Sequence, residues 1–160
     1  MTGKTHLIGG IALGEALQYF MGTHAGDPIF LAACAGGALL PDICHSGSKI
    51  GRKLPVLSRL INGVFGHRTF THSIFFLIVV SAFFTFFLPH MNWLRDGVLI
   101  GMLSHMILDA ATTNGIALFW PIKWKVRFPL YTHTGGTIEH VIMVILTLAV
   151  LWLGANEFLI

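Results

Sequence analysis

Two stretches of this chain leave no room for water: SIFFLIVVSAFFTFFL over 73–88 and IMVILTLAVLWLG over 142–154 contain no charged group. Each approaches the roughly 20 apolar residues that a helix needs to cross the hydrocarbon core of a bilayer. The rest of the chain cannot supply a soluble surface around them. Hydrophobic residues make up 54% and charged residues 11%, with a mean hydropathy of +0.75, against about 25% charged in a typical soluble domain. Ten Lys and Arg with seven Asp and Glu do not cover a domain of this length. The bilayer is the solvent this sequence asks for.

Three further apolar segments, 7–21, 29–40 and 97–111, are shorter and rich in Gly and Ala, as suits helices that pack closely inside a bundle. With 73–88 and 138–153 they predict an all-α, polytopic membrane bundle of about five helices in one domain, 1–160. The longest polar connection, 41–72, carries SGSKIGRKLPVLSRLINGVFG, whose apolar spacing predicts an interfacial helix over 56–65. The amino-terminal run holds Glu15 and Gln18 and has no clean cleavage motif, so it reads as retained rather than as a signal peptide. Cys34 and Cys44 have no CxxC spacing and form neither a zinc knuckle nor a disulfide framework. Cys44 beside His45 reads as a reduced thiol before it reads as a metal ligand.

Charge orients the bundle. If the amino terminus is cytoplasmic and all five segments cross, Lys4, Lys49, Arg52, Lys53, Arg59, Arg68, Lys123, Lys125 and Arg127 all face the cytoplasm, with Arg95 alone outside. That is the asymmetry of the positive-inside rule. The net charge of +3 therefore reads as topology and affinity for anionic headgroups. Without a basic helix or an aromatic-basic platform, nucleic acid is not an expected partner.

The same topology gathers His6, His45, His67, His72, His133 and His140 at the cytoplasmic face. Asp42, Asp109 and Glu139 lie there too, and His105 sits a turn or two inside. His105 and Asp109 are four apart and share a helical face; ionisable groups at that depth need a partner or a cavity. A divalent cation satisfies both, as does a plain His–Asp hydrogen bond. GHRTFTHS brings His67, Arg68 and His72 to the start of the third apolar segment, with Ser73 or Thr71 as its N-cap. In LLPDICH, Pro41 is expected to end the second helix. Asp42 then sits at a helix C-terminus, where the macrodipole disfavours it and a metal or Arg68 is needed to compensate. Thr5-His6 opens the first segment, and Glu139-His140 opens the last. Adjacent residues diverge by about 100° on a helix, so Glu139 or His140, not both, can reach one ion. Glu15, half a turn out of phase with His6, reads as a structural hydrogen-bonding group.

Several His with Asp and Glu and few Cys favour a divalent metal, zinc first and manganese second. Two or more ions sharing a carboxylate can activate water for attack on a phosphoester, with the planar guanidinium of Arg68 suited to a phosphate oxygen. No GxSxG, P-loop or HExxH occurs.

The ordered set Thr5-His6, Leu40-Pro41-Asp42, His67-Arg68-Thr69-Phe70-Thr71-His72-Ser73, Ser104-His105-x3-Asp109-x2-Thr112-x2-Gly115 and Trp120-Pro121 resembles the YdjM-type family. Its members are described as LexA-regulated, inner-membrane, metal-dependent hydrolases. The resemblance implies a polytopic protein of the bacterial inner membrane, regulated with the SOS response. A fainter similarity links His105-x3-Asp109 to the all-helical zinc phospholipase C and single-strand nuclease group, whose HxxxE ending is absent here. The leading expectation is a hydrolase of a lipid or lipid-linked phosphoester at the cytoplasmic leaflet. His6, Asp42, His67, His72, His105 and Asp109 hold the ions, Glu139 or His140 completes the shell, and Arg68 and Asp109 carry the catalysis. Its rivals are an ion- or proton-coupled transporter and a non-catalytic membrane scaffold. Oligomeric state is not legible.

Overall fold

A computed structural model describes residues 1–22, 27–66, 68–122 and 124–157 of the chain. Every described apolar segment is helical, and no β-strand forms among the described residues. The helices are α1 (Gly3–Met21), α2 (Pro28–Gly37), α3 (Lys49–Lys53), α4 (Pro55–Phe65), α5 (Ile74–Phe87), α6 (Asn92–Ala110) and α7 (Thr137–Glu157). Local chemistry sets several of their starts. Asp27 caps α2 by accepting from the Ile29 and Phe30 amides, with Pro28 in the first turn, where a missing N–H costs nothing. Ser73 caps α5 through the Phe76 amide at 3.2 Å, as the sequence predicts.

The second segment departs from expectation. Pro41 does not end α2: the helix stops at Gly37, and Pro41 lies within a 3-10 turn, Leu40–Cys44, at one of its first two positions. Three residues before that proline, the chain has already left the α-helix. The interfacial helix predicted over 56–65 is α4, preceded by the unpredicted α3, whose cap Ser48 accepts from the Gly51 amide at 2.9 Å.

The predicted five crossings reduce to one self-sufficient span among the described residues: Thr137–Asn156 is long and apolar enough to cross a bilayer. α5 has 14 residues and rises about 21 Å, short of the roughly 30 Å core. The 19 residues of α6 are diluted by Arg95, Asp96, His105 and Asp109. Ile138, Ile145, Leu148 and Leu151 stand at least 59% exposed on α7, so it is not the buried core helix of a soluble protein.

α1, α2 and α6 pack against one another, α7 lies on α1, and α5 on α6. Glycines let α2 and α6 touch backbone to backbone. A Cβ at Gly101 would stand 2.0 Å from the Cys34 carbonyl oxygen, and one at Gly37 2.2 Å from that of Val98. This close crossing brings the end of α2 against the His105 turn of α6. The chain after α6 folds back on itself through Ile116 and Val126, which exchange amide-to-carbonyl hydrogen bonds of 3.1 and 2.8 Å. The Ala117 amide bonds the Arg68 carbonyl, fixing the HRTFTHS stretch beside α6.

Candidate metal centre

The start of α1, the turn after α2, the turn before α5 and the last turns of α6 meet at one end of the bundle. They bring His6, Asp42, His72 and the His105–Asp109 pair together from four distant stretches of sequence. His6, His72, His105 and Asp109 have fully buried side chains, whereas Asp42 is 16% exposed. Two overlapping groups have ligand atoms within 4.8 Å of one another: His6, Asp42 and His105, and His72, His105 and Asp109.

The separations suit an ion. His6 Nε2 lies 3.2 Å from Asp109 Oδ1, and His72 Nε2 lies 3.5 Å from Asp109 Oδ2. His105 Nε2 is 3.6 Å from Asp109 Oδ2 and 3.8 Å from Asp42 Oδ1. Bonds of about 2.0–2.1 Å place the donors of a tetrahedral zinc ion about 3.3 Å apart. The protonation pattern agrees. The Ala38 carbonyl can only accept, so His105 donates to it from Nδ1 at 2.7 Å and turns the Nε2 lone pair into the cluster. That carbonyl is available because α2 ends at Gly37. His105 Nε2 in turn faces His72 Nε2 at 3.1 Å, and His72 Nδ1 is bonded to the Thr71 hydroxyl at 3.0 Å. His6 Nδ1 is buried without a hydrogen-bond partner, an expensive arrangement for a buried imidazole. Burial pushes the His72 imidazole down to about 4, with the nearby Asp109 carboxylate only partly opposing it. At neutral pH His72 is a neutral imidazole with a lone pair to give. The residues fit a divalent cation.

Asp109 is the hub. Besides the imidazoles it receives the Met1 nitrogen on Oδ1 and the Arg68 guanidinium, whose Nη2 lies 3.0 Å from Oδ2. Arg68 also donates from Nη1 to the Thr112 hydroxyl at 3.0 Å, and Thr112 donates to the Asp109 carbonyl at 2.7 Å. Arg68 has φ +58°, a left-handed backbone that costs a non-glycine residue about 1–2 kcal/mol. Residues held this way cluster at functional sites.

The remaining sequence candidates fall elsewhere. His67 lies outside the described residues, as does Lys123 from the topology argument. Glu139 is buried but belongs to neither ligand group: it accepts from the Thr5 hydroxyl, the Thr2 amide and the Gly135 amide, each at 2.6 Å. It braces the first turn of α1 against α7. His140 is exposed and donates from Nδ1 to the Gly136 carbonyl at 2.9 Å. His45 and His133 are exposed as well. Cys44 donates to the Pro41 carbonyl, and burial pushes its thiol up, so it stays protonated. The supports Thr5, Thr71, Thr112 and the Ala38 carbonyl escape a search for ligand types, since threonine and backbone carry no such signature. The three threonines had one signal, their places in the motif set beside His6, His72 and Asp109.

A family profile described as YdjM inner membrane protein matches residues 1–159. The chain is 51% identical to YvsG of Bacillus subtilis (strain 168) over 150 residues, 93% of this chain and 91% of that protein. It is 36% identical over 121 residues to the inner membrane protein YdjM of Escherichia coli (strain K12), covering 72% of this chain and 61% of the relative. The inner membrane protein YbcI of the same organism is 33% identical over 117 residues, 64% of this chain and 66% of that one. No solved structure matches, so the likeness to the zinc phospholipase C group rests on His105 and Asp109 alone.

Proposed function

The chain belongs to the YdjM inner membrane protein family, and from that premise we propose that it is a membrane-bound, metal-dependent hydrolase of a lipid or lipid-linked phosphoester. It sits in the inner membrane with its amino terminus and metal cluster at the cytoplasmic face. α7 spans alone; α1, α2, α5 and α6 complete a polytopic bundle in which their polar residues face one another rather than lipid. The observation that carries the reading is the convergence of three imidazoles and two carboxylates whose measured donor separations run from 3.1 to 3.9 Å.

His6, Asp42, His72, His105 and Asp109 would hold zinc, or manganese in its place. Asp109 directs one oxygen at His6 and the other at His72 and His105, so it would serve both ligand groups if two or more ions are held. A metal held there would supply Lewis acidity towards a phosphoryl oxygen and a water molecule. The chain does the rest. Arg68 fixes the Asp109 carboxylate and retains an unpartnered Nε, a donor for a phosphate oxygen. Asp42, the exposed member of the cluster, marks the side from which water and substrate arrive. Glu139 seats the first turn of α1, holding His6 in register.

The test is elemental analysis of detergent-purified protein, followed by incubation with lipid extracts and a search for a species lost only when metal is present. Metal-free protein would overturn the assignment. Ion flux in liposomes without turnover of any lipid would replace it with transport.

A further inference from the structure

The metal cluster is buried except at Asp42, and Asp42 lines a cavity of about 500 Å³ at the mouth of the site. Its other charged walls are basic: Lys4 from α1, and Lys49 and Arg52 from α3. All three are exposed, and none forms an ion pair with another described residue. The imidazoles of His45 and His140 complete the polar rim. Three cations around one carboxylate make a pocket for an anion, and a guanidinium with two ammonium groups suits a phosphate.

A second cavity, of about 600 Å³, adjoins the first and shares Leu39, Lys49, Ile50 and Arg52 with it. Gly36 and Lys53 complete its lining. A Cβ at Gly36 would meet nothing within 4 Å, so this side of α2 is open. Leu39 and Ile50 give it an apolar wall between α2 and α3. Just beyond, α4 exposes Val56, Leu60 and Val64 at 62–79%, beside the basic Arg52, Lys53 and Arg59. That face suits the headgroup boundary of an anionic membrane.

We propose that the cavity lined by Lys4, Lys49 and Arg52 is the headgroup subsite of an anionic phospholipid, with its acyl chain running along the Leu39–Ile50 groove between α2 and α3. The proposal deepens the hydrolase reading, on which it rests for the meaning of the neighbouring metal cluster. It places the phosphate at the open edge of the cluster, beside Asp42, and makes α3 a specificity element. A zwitterionic lipid weakens the three charge contacts, because its own ammonium offsets its phosphate; free phosphate keeps them but loses the apolar groove.

The test is native mass spectrometry of the full chain in detergent, titrated with phosphatidic acid, phosphatidylcholine and inorganic phosphate, with metal content measured on the same samples. Wild type should hold phosphatidic acid in preference to phosphatidylcholine. Lys4→Gln/Lys49→Gln/Arg52→Gln should weaken phosphatidic acid roughly 100-fold, the scale of three basic contacts to an anionic surface, with metal content unchanged. Arg59→Gln/Lys125→Gln removes charge outside the pocket and should bind as wild type. Equal loss in both variants would mean diffuse surface attraction and overturn the subsite, as would unchanged binding in the triple variant. Inorganic phosphate held as tightly as phosphatidic acid, or an Ile50→Asn variant with full lipid affinity, would overturn the lipid as its source. Wild-type protein without metal would sink the hydrolase reading while leaving the lipid titration to decide the pocket independently.

Discussion

His6 and His105 lie face to face, with ring centroids 3.7 Å apart and planes 15° from parallel. Both turn Nε2 towards Asp109, and ring nitrogens converging on one carboxylate are what a metal site presents before loading. Purified protein should therefore carry about two equivalents of zinc or manganese per chain. Asp109→Asn and His105→Ala should each lose most of it, while Glu15→Gln, far from the cluster, should keep it. Elemental analysis beside far-ultraviolet circular dichroism separates metal loss from unfolding. Full metal content in both cluster variants would end the assignment.

Glu139 divides a ligand from a brace. Its oxygens are occupied by Thr2, Thr5 and Gly135, so Glu139→Gln should retain metal. Thr5→Val should leave a buried carboxylate oxygen short of a donor and cost about 1–3 kcal/mol of stability, also without metal loss. Thermal unfolding with metal analysis of both variants checks this. Metal loss in Glu139→Gln at wild-type stability would return Glu139 to the ligand shell.

The crossing of α2 and α6 should be intolerant of a single methyl. Gly101→Ala drives a Cβ against the Cys34 backbone, where no side chain can rotate away, at a cost of about 3 kcal/mol. Gly36→Ala, on the open side of α2, should be neutral or slightly stabilising through helix propensity. Comparing the two by thermal denaturation isolates the contact, and equal melting temperatures would contradict the close approach.

His72 gives the apo protein a pH dependence. Its imidazole is held at about 4 in the folded chain, against 6.5 for an ordinary histidine, mainly by burial. Between those values the unfolded chain binds a proton that the folded chain does not, so stability falls as pH drops below about 6.5. Melting temperatures of chelator-treated protein should decline from pH 7 towards pH 5. His72→Gln should flatten this slope, and an unchanged slope would assign the effect to other groups.

Most of the cluster was legible because its residues are expensive. His105 and Asp109 stand out in an apolar helix, whereas one-sided Lys and Arg put His45, His133 and His140 at the same end as His6 and His72 and do not separate ligands from bystanders. Asp42 was identified for an incomplete reason, since α2 ends before Pro41 and releases the Ala38 carbonyl that orients His105. Glu139 and His140 differ by burial, which depends on how α7 rotates against α1 and so on packing rather than spacing. The number of crossings was the least legible feature. Hydropathy registers the same low value for a helix whose polar groups point inward as for one that never enters the membrane.

The hydrogen bond from Thr5 to Glu139 joins groups 134 residues apart, and its consequence is one of timing. A ribosome must add all of the intervening residues before the amino-terminal turn meets its acceptor. Until α7 emerges, a nascent chain already carries His6, Asp42, His72, His105 and Asp109 but lacks the carboxylate that ties down Thr2 and Thr5. That brace on the amino-terminal turn is thereby postponed until α7 has been made.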